Sequence, residues 1–144
     1  LVLLAAALAG CASGPPGPAP LDTRTESCRS CRMAVSEARF ASQIVAPGEE
    51  PRFFDDLGCL RDHLSAAGAP PPGAVAYVAD HRTRAWTRAD RAVYTRVPAL
   101  ATPMGSHVIA HADAASRDAD PAARGGATLS ADFFGAALPG GGGR

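Results

Sequence analysis

Cys28, Cys31 and Met33 stand together in Cys28-Arg29-Ser30-Cys31-Arg32-Met33, and the only other methionine, Met104, lies in Thr102-Pro103-Met104-Gly105-Ser106. Thiolates and thioethers are soft donors, and soft donors select Cu(I) over hard cations. A Cys-x-x-Cys pair taken alone fits a redox dithiol, half a zinc site, a haem attachment or a copper site. Haem attachment needs His directly after the second Cys, where this chain has Arg32. A thioredoxin-type dithiol lies between a strand and a helix, whereas this pair follows the polar stretch 21–27. A thioether is a poor zinc ligand and a good Cu(I) ligand, so the methionines favour copper. The rival role for Met33 is filling space in a core.

Two further donors extend the set. Cys59 falls in the first turn of a helix that Asp56 is expected to cap, where the positive helix end favours the thiolate. His107 comes three residues after Met104. His63 lies one turn beyond Cys59, so Cys28, Cys31, Cys59 and His63 compose a rival Cys₃His zinc site, that of a structural interaction module. Asp55 is read as the end of a strand and Asp56 as a helix cap, rather than as an acid–base pair. His81, His107 and His111 have no metal-motif spacing, and Tyr77, Trp86 and Tyr94 are read as core.

These residues need a framework. Residues 40–45 read as a strand, Pro47-Gly48-Glu49-Glu50-Pro51 as a turn, and residues 52–54 as the returning strand. A helix over 56–67 follows, with Leu57, Leu60 and Leu64 on one stripe, and then a strand over 74–78. This is a ββαβ unit over 28–84. Residues 85–138 repeat it, with strands at 92–97 and 107–111, a helix over 114–124 capped by Asp113, and a short strand at 127–129. Ser130 then caps a last turn carrying Phe133 and Phe134. The expected fold class is α+β, two small ββαβ units packed together.

The ends carry no such periodicity. Residues 1–9 are continuously apolar, too few for a bilayer span of ~20 residues. Leu8-Ala9-Gly10-Cys11 matches the bacterial lipobox, so residues 1–11 read as the end of a signal peptide with Cys11 as the lipidated residue. The lack of an initiator Met and a basic leader implies that further residues precede Leu1. Residues 12–27, rich in Pro and Gly, read as a flexible tether, and 139–144 as a disordered tail. With Cys11 acylated, three thiols remain. An odd number is not a disulfide scaffold and leaves a thiol for metal. Arg supplies every basic side chain and the formal net charge is zero, which argues against a general electrostatic footprint for nucleic acid.

Cys-x-x-Cys-x-Met, then Phe-Asp-Asp-x-Gly-Cys, then Thr-Pro-Met-Gly-Ser, in that order behind a lipobox, resembles the NosL family, the accessory lipoproteins of nitrous oxide reductase. The resemblance runs from Cys28 to about Phe134. It implies a membrane-anchored copper chaperone facing the periplasm, not an enzyme, that supplies Cu(I) to nitrous oxide reductase or its copper-assembly membrane complex. General periplasmic copper trafficking is the alternative within the same resemblance. It also implies a paired ββαβ fold similar to that of organomercurial lyase domains, and it places the family's metal-binding Cys and Met on Cys31, Met33 and Met104. The common family form has Gly where this chain has Arg32.

Overall fold

The computed structural model describes residues 14–141. Strands β1 (Ser42–Val45) and β2 (Arg52–Phe54) form an antiparallel hairpin. Helix α1 (Leu57–Ala66) follows, and β3 (Val75–Ala79) returns along the other side of β1. β4 (Trp86–Arg88) pairs with β3, giving the order β2-β1-β3-β4. The second half has β5 (Val93–Arg96), β6 (Val108–His111), α2 (Ala114–Ala119) and β7 (Ala127–Leu129), with β6 and β7 on either side of β5. Each half is thus a ββαβ unit whose first strand lies between the other two, and the fold is α+β as expected. One boundary differs. Trp86–Arg88, assigned from sequence to the second unit, belongs to the first sheet.

α1 starts where the sequence places it, because Asp56 is extended and its Oδ1 accepts from Gly58 N at 2.7 Å. Leu57, Leu60 and Leu64 all face the core. α2 is capped in the same way by Asp113, which accepts from Ser116 N at 2.8 Å. It stops at Ala119 instead of running to 124, because the residue before a proline is disfavoured in helix and Asp120 precedes Pro121. Asp120 caps a separate 3₁₀ turn, Pro121–Ala123. The last turn, Ala131–Phe134, forms as expected but without a cap from Ser130, whose hydroxyl donates to Asp132 instead.

Two segments expected to be loose are docked. Gln43 is fully buried in β1, and its amide is satisfied by Ala19, whose N–H lies 2.8 Å from Oε1 and whose carbonyl lies 3.0 Å from Nε2. Tyr77 donates to the Pro16 carbonyl at 2.6 Å. A proline-rich extended chain forms no internal hydrogen bonds, so its backbone groups are free for such partners. The supposed tether is therefore anchored from Pro16 onward. At the other end, Ala76 N donates to Pro139 O at 3.0 Å, Arg88 donates to the Gly140 carbonyl, and Pro139 is buried. The tail is held as far as Gly141, where it was expected to fray from Pro139. Cys11 lies outside the described residues. Among those described, no helix is long and apolar enough to cross a membrane.

The units share one core. Phe54, Leu60 and Val78 of the first pack with Tyr94, Val108 and Phe134 of the second, and Tyr94 meets Phe134 edge to face at 5.1 Å. Polar contacts cross the same seam. Asp56 Oδ2 accepts from Met104 N at 3.0 Å, Asp80 Oδ2 accepts from Ala112 N at 2.8 Å, and His81 N donates to Ala110 O at 2.8 Å. Asp56 thus acts twice, as cap and as seam. Asp56→Ala is expected to lower stability to urea by about 2–4 kcal/mol, a lost cap plus a buried donor left unpaired. Asp113→Ala, which removes only a cap on a six-residue helix, is expected to cost about 1 kcal/mol. Equal losses in the two variants would contradict this division.

Candidate metal centre

The first two cysteines sit on a loop closed by its own backbone. Val35 N donates to Glu26 O at 3.0 Å, Cys28 N to Met33 O at 2.7 Å, and Arg32 N to Cys28 O at 3.0 Å. Arg29 N donates to Phe53 O at 2.8 Å, which pins this loop to β2. Closing so tight a loop puts Arg32 in the left-handed region, at a φ of 69°. Glycine reaches that region freely and arginine at a cost.

Phe-Asp-Asp-x-Gly-Cys supplies the opposite wall, and almost every residue in it has a separate task. Phe54 is fully buried in the core. Asp55 presents both carboxylate oxygens 3.5 Å from the Cys31 thiol, which donates to them. Asp56 caps α1 and holds the Met104 turn. Gly58 lets that turn approach, since a Cβ there would stand 3.1 Å from Ser106 Cβ. Cys59 projects from the first turn of the helix. One ligand atom from each of Cys28, Cys31, Asp55 and Cys59 lies within 4.8 Å of the others. All three thiols are free, with Cys28 and Cys59 buried and Cys31 half-buried.

The Thr102–Ser106 turn faces this cluster. Gly105 N donates to Thr102 O at 3.1 Å, Gly105 is left-handed, and Thr102 Oγ1 accepts from His107 N at 3.1 Å. Cys31, Cys59, Met104 and His107 line one cavity of about 270 Å³, together with Arg61 and Arg96. His107 Nδ1 lies 2.8 Å from the Leu100 carbonyl, an acceptor only, so in the neutral ring Nε2 keeps the lone pair. Met33 is not among the residues lining this cavity. It is 60% exposed and Met104 50% exposed, the two exposed large apolar side chains among the described residues. Neither fills a core.

Two expectations change. The helix N-terminus was expected to favour the Cys59 thiolate, yet its pKa is pushed well up, first by burial and then by the neighbouring Cys28 and Asp55. Cys31 is raised as well, first by burial, with Cys28 and Asp55 adding to it. Desolvation and like charge therefore outweigh the helix end. A bound cation supplies the missing counter-charge and reverses that balance. The second change concerns the Cys₃His set. The side chain that joins the three cysteines is Asp55, whereas the His63 ring packs against Phe54 at 5.1 Å and lines a different cavity. Burial, then Arg52 and Arg29, lower the His63 pKa.

The sequence model of the NosL family matches residues 18–134, and the chain belongs to that family. No curated protein and no solved structure matches it. Membership supports a copper-related accessory role, in an accessory or metal-binding family that is not a known enzyme family.

The left-handed Arg32 gives one expected outcome. Arg32→Gly should raise stability by about 0.5–1 kcal/mol, strain relief less the extra entropy of an unfolded glycine, without weakening metal uptake. A urea titration of both proteins checks it. The raised thiols give another. Above the ordinary thiol value of 9.0, unfolded Cys31 and Cys59 ionise while the folded ones keep their protons. The unfolded chain then binds fewer protons, so metal-free stability is present below that pH and falls above it. Metal entry must displace those protons, so affinity should rise with pH through the neutral range. Urea midpoints and metal competition across pH test both slopes.

Proposed function

We propose that this NosL-family chain is a Cu(I) chaperone that takes the ion at the thiol cluster and releases it through its exposed thioethers. The observation that carries this reading is the juxtaposition of Cys28, Cys31, Asp55 and Cys59 with a cavity into which Met104 and His107 open. Sulfur donors suit Cu(I), and two or three of them leave the ion under-coordinated. An incoming Cys, Met or His of a recipient then displaces them one at a time, so the ion is never fully released to water. Cys31, Met33 and Met104 are the sulfur donors at which exchange begins, since the two thioethers are exposed and the Cys31 thiol only half-buried. Cys28 and Cys59 hold the ion from inside, and His107 offers Nε2 as an accessory donor.

The recipient in this reading is nitrous oxide reductase or its copper-assembly membrane complex, and Cys11 carries the lipid that keeps the chain on the periplasmic face of a membrane. Anchoring restricts the search for a membrane-bound recipient and raises effective concentration. A second reading has its own observation. Three cysteines and a carboxylate form a set that zinc accepts in tetrahedral geometry, and two of the cysteines are buried. Zinc has no use for the exposed methionines.

Met104→Leu separates the two. It keeps similar volume at an exposed position and removes the sulfur. Competition with a Cu(I) chelator is expected to show binding about tenfold weaker, about 1.4 kcal/mol, with zinc binding and folding unchanged. Identical Cu(I) retention in the variant and the parent would remove the thioether from the mechanism and leave the zinc reading.

A further inference from the structure

A second group of metal-ligating side chains converges away from the cysteines, in residues whose spacing shows no motif. His81 lies just past β3, His111 ends β6, and Asp120 follows α2; all three are buried. Asp120 Oδ2 stands 2.6 Å from His81 Nδ1 and 2.9 Å from His111 Nε2, while Oδ1 accepts from Ala122 N at 2.9 Å. The outward nitrogens, His81 Nε2 and His111 Nδ1, are buried without a hydrogen-bond partner. The backbone around the two rings is fixed by the His81 N to Ala110 O bond and by Asp80, which accepts from Ala112 N.

We infer that His81, His111 and Asp120 are a second metal site, one that takes a borderline divalent cation of the Zn²⁺ class. The donor set is two imidazole nitrogens and a carboxylate oxygen with no sulfur, which suits Zn²⁺ better than Cu(I). The three ligand atoms lie within 4.8 Å of one another. A tetrahedral Zn²⁺ at ~2.0–2.1 Å from its donors holds them roughly 3.3–3.4 Å apart. From 2.6 and 2.9 Å, each N···O separation has to widen by well under an ångström. Burial works against its ionisation, yet the hydrogen bonds from His111 and His81 hold its pKa down at about 2, so it is already an anion.

The proton balance closes within the site. Without metal, His81 Nδ1–H and His111 Nε2–H both donate to Asp120. With metal, those nitrogens give their lone pairs to the ion, and each ring carries its one proton on the other nitrogen. No net proton is taken up or lost. Asp120 also lines an open depression of about 360 Å³ with Thr95, Arg117, Asp118 and Arg124. Arg117 there is paired with Asp118 at 2.8 Å. The ion would tie the end of β3 in the first unit to β6 and α2 in the second.

The test is a Zn²⁺ titration of the full chain, read by NMR of the imidazole nitrogens and, separately, of the cysteine Cβ carbons. The cysteine signals report filling of the thiol cluster, so that cluster's behaviour does not decide the outcome here. The expected result is a tautomer exchange in both His81 and His111 at a further equivalent of Zn²⁺, with a rise in thermal midpoint that Asp120→Asn abolishes. The tautomer readout needs no variant, so it stands even if Asp120→Asn fails to fold. Imidazoles that keep their metal-free tautomers while only the cysteine signals move would overturn the site, leaving a structural hydrogen-bonded triad.

Discussion

The two oxygens of Asp56 set the geometry on which the candidate centre depends. Oδ1 caps α1 and so determines where Cys59 leaves the helix. Oδ2 takes the Met104 N–H and so determines where the thioether loop lies. Burial alone would raise the pKa of such a group; the Ser106 and Thr102 hydroxyls and the two backbone N–H groups more than offset it, and the carboxyl sits below its ordinary value. A fully buried charge is tolerated only with this many partners. One carboxylate thus converts two distant sequence motifs into facing walls. The remaining constraint is steric, since only a glycine at position 58 admits the Ser106 side of the turn without displacement.

The repeat makes clear what is framework and what is added. Asp113 caps α2 as Asp56 caps α1. Three residues past each cap stand Cys59 and Ser116, both buried. The backbone device is duplicated and the sulfur is not. The second unit places an imidazole, His111, just ahead of its cap, where the first has the apolar Phe54. The two halves therefore offer chemically different donors on one scaffold. Hard–soft preference sorts metals between such donors more reliably than affinity alone, since thiolate and thioether favour Cu(I) while imidazole and carboxylate favour Zn²⁺.

Much of the fold was legible because its signals are local. The Asp56 cap, the leucine stripe and the Pro-Gly turn each act within a few residues, and they locate β2 and α1 closely. The parts that escaped depend on distant partners. Asp55 looks like a strand end until the Cys31 loop, 24 residues earlier, is pinned against it. His81 and His111 are brought to a shared partner by a contact between the two sheets, the bond from His81 N, just past β3, to Ala110 O in β6. The Pro-rich stretch looks free because nothing in its own composition reveals that the buried Gln43 amide needs a partner, which it finds at Ala19. Arg32 was legible in a different sense. The common family form has Gly at this position, and the arginine that replaces it does occupy the left-handed region.

In the Cu(I) exchange proposed above, burial within the cluster favours capture, and exposure at its rim favours release. Cys28 and Cys59 are inaccessible to a recipient, and the surroundings of Cys59 and Cys31 disfavour their free thiolates, so those two thiols resist losing their protons until an ion arrives. The charge that an ion brings then stabilises the same thiolates that burial opposes. Binding is steepened by this reversal, because thiolate and metal each make the other favourable. Met33 and Met104 do not share that reversal. A thioether carries no proton to lose, so its bond to copper is insensitive to the protonation that governs the inner thiols. Placing the proton-independent donors outside and the proton-coupled ones inside gives a site that can loosen at its surface without first repaying the cost of reprotonating its interior.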